Sequence, residues 1–355
     1  MFNRLERYIG WTIVKATTLT ILVLVILLTF INLVDELDQV SHANYRTIDA
    51  IVVALLGSPR YLFEVFPVSA LLGSLLGLGG LASHSELVAM RAAGFSLRQI
   101  MMAVLKVGLV MMAGVMLFSE LVAPPAEQAA QALRAERLLG HRALSSPYGF
   151  WARDGAAYVN IGNLGDGRTP QDISIYEFDA NNRLRLATHA QRAEYRDGHW
   201  VLQRIDQSEF EPNRVRTRSL REAEWDSLLD PGLLAKVVIR PTMLPIWELA
   251  DYIDFLRRNA QSAIDYQVAF WLKLINPFAT LAMLFLAVPV VLGAGRSGGT
   301  GQRIFIGAVI GALFFLLTRA FSYVAVVYQI NPALTVAFPA VVFFFLAVML
   351  LRRVR

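Results

Sequence analysis

Cysteine is absent from this chain of 355 residues. That removes disulfide staples, zinc ribbons, iron–sulfur ligation and thiol nucleophiles, and it leaves any folded domain to rely on an adequate apolar core. Histidine is scarce as well. His42, His84, His141, His189 and His199 show no metal-ligand spacing and no Ser–His–Asp arrangement, and they read as surface residues. No loop carries the Gly-Lys-Ser/Thr ending of a P-loop; the glycine-rich run Gly293–Gly301 reads as a flexible turn, so no cofactor is expected and any ATP hydrolysis belongs to another chain. Charge is low at 17 %, against 55 % hydrophobic residues and a mean hydropathy of +0.48. These values sit on the membrane side of globular averages.

What is present is a three-plus-three layout. Windows near the ~20 apolar residues that cross a bilayer run over Thr12–Val34, Arg60–Ala82, Ile100–Val122, Val268–Leu292, Ile304–Tyr328 and Pro332–Leu351. The expected fold is therefore a polytopic α-helical membrane protein of six spans, divided as 1–122, an inserted domain at 123–265, and 266–355. The first apolar run is too long for a signal-peptide core and ends in Val34-Asp35-Glu36 without a cleavage site, so it reads as a retained span. Short loops on one side carry Arg4, Arg7, Arg91, Arg98, Arg296, Arg303, Arg352, Arg353 and Arg355, whereas the opposite loop is acidic at Asp35, Glu36, Asp38 and Asp49. The positive-inside rule then puts both termini in the cytoplasm and the inserted domain outside.

That inserted domain reads as all-β. The runs Ala156–Ile161, Ile173–Phe178 and Trp200–Ile205 are rich in β-branched and aromatic residues. Asp166-Gly167, Asn181-Asn182 and Asp197-Gly198 fall between them as hairpin turns would. A sandwich, a jellyroll or an open barrel would each fit. Helical connectors are expected over Ala126–Leu139 and Leu244–Arg258. Acidic and basic residues balance between Pro124 and Arg258, which excludes a nucleic-acid footprint.

Three features bear on function. The stretch Ser83–Ser96 reads as a short cytoplasmic helix, with an S-x-x-E capping box from Ser83 to Glu86, Gly94 as its left-handed stop, and a second box from Ser96 to Gln99. It suits either a surface turn between spans or a handle for a soluble motor. Arg60, Glu64, Glu120, Lys273 and Arg319 place charge inside spans, all in the outer half, with only Lys15 nearer the inner face. Such charges face a cavity or a partner, and Glu64 with Arg60 is one available pairing. Gly73, Gly77, Gly79 and Gly80 give one span a small-residue face for close helix approach.

The runs Leu5–Gly10, Phe66–Gly79 and Ser85–Ser96, with Val122-Ala123-Pro124, Ser174-Ile175-Tyr176 and the stretch from Tyr266 to Lys273, resemble the lipopolysaccharide-export permeases of the YjgP/YjgQ (LptF/LptG) family, on its LptG branch. The resemblance covers nearly the whole chain. It implies a bacterial inner-membrane subunit of an ABC transporter, paired with a sister permease (LptF-like), two ATPase subunits (LptB-like) and a bitopic periplasmic partner (LptC-like). Its implied activity is to extract lipopolysaccharide from the outer leaflet and pass it to a periplasmic β-jellyroll. It also implies that a coupling helix at about 84–93 meets the ATPase through Glu86, Leu87, Met90 and Arg91. Arg60, Lys273, Arg319 and Phe66 are the candidate substrate contacts in this chain. The basic patch that some relatives carry at the outer end of span one is replaced here by Asn32, Asp38 and Gln39. Two other classes stay open: an ABC-type mechanotransmission protein that passes no lipid through itself, and a secondary transporter, which would show inverted repeats and mid-membrane polar groups.

Overall fold

A computed structural model of the protein describes residues 4–40, 45–139, 150–154, 157–165, 169–179, 181, 183–196, 199–211, 214–225, 241, 244–259, 261–293 and 300–354. The three expected hairpin turns and most of the glycine-rich loop lie wholly or partly outside these residues, as do His42 and His141. In chain order the helices are α1 (Arg4–Leu37), α2 (Thr47–Ser83), α3 (Glu86–Ala92), α4 (Leu97–Leu121) and α5 (Ala123–Leu139). Strands β1 (Phe150–Asp154), β2 (Ala157–Gly165), β3 (Thr169–Phe178), β4 (Leu184–Arg196), β5 (His199–Glu211) and β6 (Arg214–Trp225) follow. Helices α6 (Ile246–Arg258), α7 (Ile264–Gly293), α8 (Thr300–Tyr328) and α9 (Pro332–Val354) complete the chain. Among the described residues six helical stretches are long and apolar enough to cross a membrane, the third formed by α4 running into α5. The expected fold class, a helical membrane protein with an inserted β domain, is what the structure has.

Helix α2 is the spine. It packs against α1, α4, α5, α7 and α8. It starts at Thr47, well before the Arg60 read from sequence, because Pro59 and Pro67 lie inside the helix and do not open or break it. Proline lacks an N–H and orphans the carbonyl four residues back. Here both orphans find donors: the Ser58 hydroxyl bonds Leu55 O at 2.8 Å, and the Asn276 side-chain amide on α7 bonds Phe63 O at 2.8 Å. The second bond also ties α2 to α7 in apolar surroundings. On the other flank, a side chain at Gly73 would collide with the backbone of Thr17, and one at Gly77 would press on Ile13 at 3.3 Å. The small-residue face is therefore a close contact between α2 and α1. Gly79 and Gly80 are not part of it: a side chain at Gly79 would press on Arg303 of α8 at 3.0 Å, and among the described residues nothing stands within 4 Å of where one at Gly80 would project.

The strands form one antiparallel sheet in the order β1-β2-β3-β4-β5-β6. Val159, Ile161, Ile173, Ile175, Ala190, Ala193, Trp200, Leu202 and Ile205 bury its inner face. The alternation slips at Asp172 (φ 56) and Arg204 (φ 53), where left-handed backbone shifts the inward residue from Pro170 to Ile173 and from Leu202 to Ile205. Strands β1, β4 and β6 escaped sequence reading, β1 because it is only 5 residues long and the other two because arginine and glutamate dilute their β-branched content. Phe255 of α6 packs against the sheet core and also against a cluster that includes Tyr266 and Phe270 of α7, so this helix carries a contact between sheet and bundle.

A polar knot closes the bundle where α1 ends. The buried Tyr45 hydroxyl donates to Glu36 at 2.9 Å, and Arg134 of α5 pairs with Glu36 at 3.3 Å. Burial first, then the hydrogen bond to Glu36, raises the Tyr45 phenol above its ordinary range. A phenol with a higher pKa folded than unfolded stabilises the fold below the usual tyrosine pKa of ~10 and loses that contribution as pH rises beyond it. Tyr45→Phe is therefore expected to make the alkaline fall in melting temperature above about pH 10 shallower than in the native protein. Gly73→Val should lower the melting temperature in detergent by driving α1 from α2. Gly80→Ala should leave it unchanged or slightly raised, since alanine is the better helix former by ~1 kcal/mol.

Candidate functional site

At the end of the bundle from which the β domain emerges, α2, α7, α8 and α9 and the α4–α5 junction enclose a cavity of about 560 Å³. Ala123 and Pro124, where the chain leaves toward the sheet, and Pro241, where it returns, line it. Its apolar wall includes Phe63, Val68, Leu272, Phe314 and Phe315, and its charge comes from Arg60, Lys273 and Arg319 facing Glu64, Glu127 and Asp265. Three candidate substrate residues from the sequence are thus brought together. Phe66 is not among them: it is 2 % exposed and does not line the cavity.

None of the three cations is bare. Lys273 donates to Glu120 Oε1 at 2.7 Å, Arg60 pairs with Glu127 at 3.4 Å, and Arg319 pairs with Glu64. The Arg60–Glu64 pairing open on sequence grounds is not the one formed. Each carboxylate arrives from a different helix, and one-dimensional spacing does not show such partners. The pairs also differ in character. Lys273 and Glu120 have side chains only 10 % and 11 % exposed, whereas those of Arg319 and Glu64 are 57 % and 26 % exposed.

Glu120 does a second task. Its other oxygen accepts the backbone N–H of Ile246 at 2.7 Å, at the first turn of α6. A helix N-terminus has orphan N–H groups and a partial positive charge, so a carboxylate fits there. One side chain therefore fastens α4, α6 and α7 together. Glu127, Asn276 and the bridging role of Glu120 were missed by sequence reasoning. Asn276-Pro277 interrupting an apolar run was the available signal for one of them.

At the opposite end, α3 sits between α2 and α4. The expected Ser83–Glu86 capping box is not formed: Ser83 bonds back to Gly80 O at 2.8 Å, and Ser85, in left-handed backbone at φ 61, precedes the helix. The other two signals are present. Gly94 stops the helix at φ 91, with Phe95 N bonded to Met90 O at 2.9 Å, and Ser96 and Gln99 exchange hydrogen bonds at 2.7 and 3.3 Å. Leu87 and Met90 are buried in the bundle core with Ile9, Ile13 and Ile100, while Val88 and Arg91 are exposed. Glu86 accepts a hydrogen bond from the Tyr8 hydroxyl of α1 at 2.8 Å. Nearby, Lys106 lies within the third span and bonds Glu6 at 2.8 and 3.1 Å, so Lys15 is not alone in that half of the bundle.

Long apolar helices, an inserted β domain, and a cavity with both apolar and charged walls beside its connectors define a multi-pass membrane protein. The family described as lipopolysaccharide export system permease LptF/LptG matches residues 7–353. The lipopolysaccharide export system permease protein LptG of Escherichia coli K12 is 34 % identical over 355 residues, covering 99 % of each chain. The protein of the same description from Haemophilus influenzae is 35 % identical over 357 residues, covering 100 % of each. The chain belongs to the LptF/LptG permease family, a permease component and a multi-pass inner-membrane protein.

Removing one member of a buried ion pair strands the other, at a cost of about 3–5 kcal/mol. Lys273→Met should accordingly lower the melting temperature in detergent sharply. The double variant Lys273→Met with Glu120→Gln should recover part of that loss, which a double-mutant cycle would read as coupling.

Proposed function

We propose that this chain is the LptG-like permease half of a lipopolysaccharide exporter, taking the amphiphile from the outer leaflet and passing it toward the periplasm. The observation that carries this reading is the cavity beside the β-domain connectors, since acyl chains need its apolar wall and phosphorylated sugar needs its cations. Residues 1–122 and 266–355 form the membrane parts, 123–265 the periplasmic domain, and both termini are cytoplasmic. Arginine presents a planar fork that matches phosphate, so Arg60 and Arg319 are the preferred headgroup contacts. Lys273, locked onto Glu120, acts by shaping the cavity wall. Phe66 supports α2 from inside the bundle.

ATP is used by two LptB-like subunits, and this chain performs no covalent chemistry. Their push arrives at α3, the coupling helix: Glu86 and Arg91 face the motor, and Leu87 and Met90 transmit to α2 and α4 through the core they share. The bare apolar faces of α1 (Leu22, Ile26, Phe30) and α8 (Phe305, Leu316, Tyr323) suit an LptF-like sister permease across a shared lipid path. An LptC-like partner receives the lipid.

A photo-crosslinking residue placed at Phe315 in the cavity wall, and separately at Phe210 in the β domain, tests the route in the assembled transporter. ATP-dependent lipopolysaccharide adducts at both positions are expected. Adducts at neither, with ATP hydrolysis intact, would favour mechanotransmission without lipid passage.

A further inference from the structure

Each of the three cavity cations is paired with a carboxylate from another helix, and Asp265 lines the cavity as well. Uncompensated charge is costly within a membrane, which accounts for the pairing. It leaves a question of selection, because a phosphorylated headgroup must displace a resident anion before it can use a cation.

Only one pair is built for displacement. Lys273 is buried against a carboxylate that also caps α6. Arg60 is held by Glu127, whose side chain is nearly inaccessible, and it also reaches the Tyr61 hydroxyl at 3.2 Å. Arg319 and Glu64, by contrast, both open onto the cavity, and the Arg319 guanidinium stays 5.3 Å from the centre of the Phe315 ring. That contact keeps the guanidinium at the wall when its carboxylate leaves. The pair joins α2 to α8 at the cavity, above the points where Gly307 and Gly311 of α8 meet Leu75, Leu72 and Val68 of α2.

We propose that Glu64 is the cavity's resident competitor. It occupies Arg319 until a phosphate of the amphiphile displaces it, and this exchange favours phosphorylated lipids over those without phosphate. A phosphate monoester carries more than one negative charge near neutral pH and offers paired oxygens to the guanidinium fork, so it can replace a single carboxylate where a neutral headgroup cannot. The same exchange releases the tie between α2 and α8, coupling headgroup recognition to the separation of two cavity walls. This inference rests on the proposed function, and its test separates the two.

Binding of bisphosphorylated lipid A, and of the same lipid stripped of phosphate, would be measured on the intact transporter in nanodiscs. Native protein, Glu64→Gln, Glu64→Asp, Arg319→Gln and the Glu64→Arg/Arg319→Glu swap would be compared, with melting temperatures alongside. Glu64→Gln should bind the phosphorylated lipid about fivefold tighter, the ratio that loss of a competitor worth ~1 kcal/mol gives. Binding of the stripped lipid should not change. Glu64→Asp should stay near native affinity, and Arg319→Gln should lose most of the preference for phosphate. If Glu64→Gln binds the phosphorylated lipid no tighter than native while the native protein still prefers phosphate, the competitor role is wrong and the pair is a structural tie. Restoration of both melting temperature and native affinity by the swap would say the same. If the native protein shows no phosphate preference, the cavity is not the headgroup site and the proposed function fails with it.

Discussion

The carboxylate of Glu120 is the constraint on which the outer end of this molecule depends. It accepts from Lys273 and from the first turn of α6, and so joins the two membrane halves to the helix that carries the β domain. A buried ion pair is worth little as net stability when set against an apolar substitute. Its value here is directional. Helix α4 is fixed to the distant pair α6 and α7 because one anion has two donors, 126 and 153 residues away in the chain. The cavity beside it inherits its shape from that joint.

The spine helix shows the same logic in neutral form. Pro67 denies α2 a hydrogen bond, and the freed Phe63 carbonyl becomes the acceptor for Asn276. In hydrocarbon an unsatisfied carbonyl is costly, so the defect specifies a partner. Gly73 and Gly77 define the opposite flank by admitting the α1 backbone. Helix α2 is thereby held on two sides by contacts that tolerate little sliding. At the α3 end, core packing of Leu87 and Met90 and the Tyr8–Glu86 bond bring α1 into the same unit.

Charge in the cavity follows from its surroundings. Three cations stand at this cavity, and a membrane penalises charge that lacks a partner. Pairing each with a carboxylate offsets that penalty, and the unequal exposure of the pairs separates a pair set into the wall from one that is open to the cavity.

The layout of spans, the inserted β domain, the stop at Gly94 and the box at Ser96–Gln99 were all determined by the sequence alone. Each depends on hydropathy or on residues within a few positions of one another, and local physics is legible in one dimension. The family resemblance came from the same source, through contiguous runs such as Phe66–Gly79. The three cations of the cavity, with Glu64, could also be named from their place in apolar spans, but the pairs they form could not. Arg319 finds Glu64, Arg60 finds Glu127 and Lys273 finds Glu120 because helix packing brings distant segments within a few ångströms. The persistence of α2 through Pro59 and Pro67, the burial of Phe66, Leu87 and Met90, and the parity slips at Asp172 and Arg204 were likewise settled by tertiary structure. In each, a donor, a neighbour or a strand partner far away in the chain decides what the local residue does.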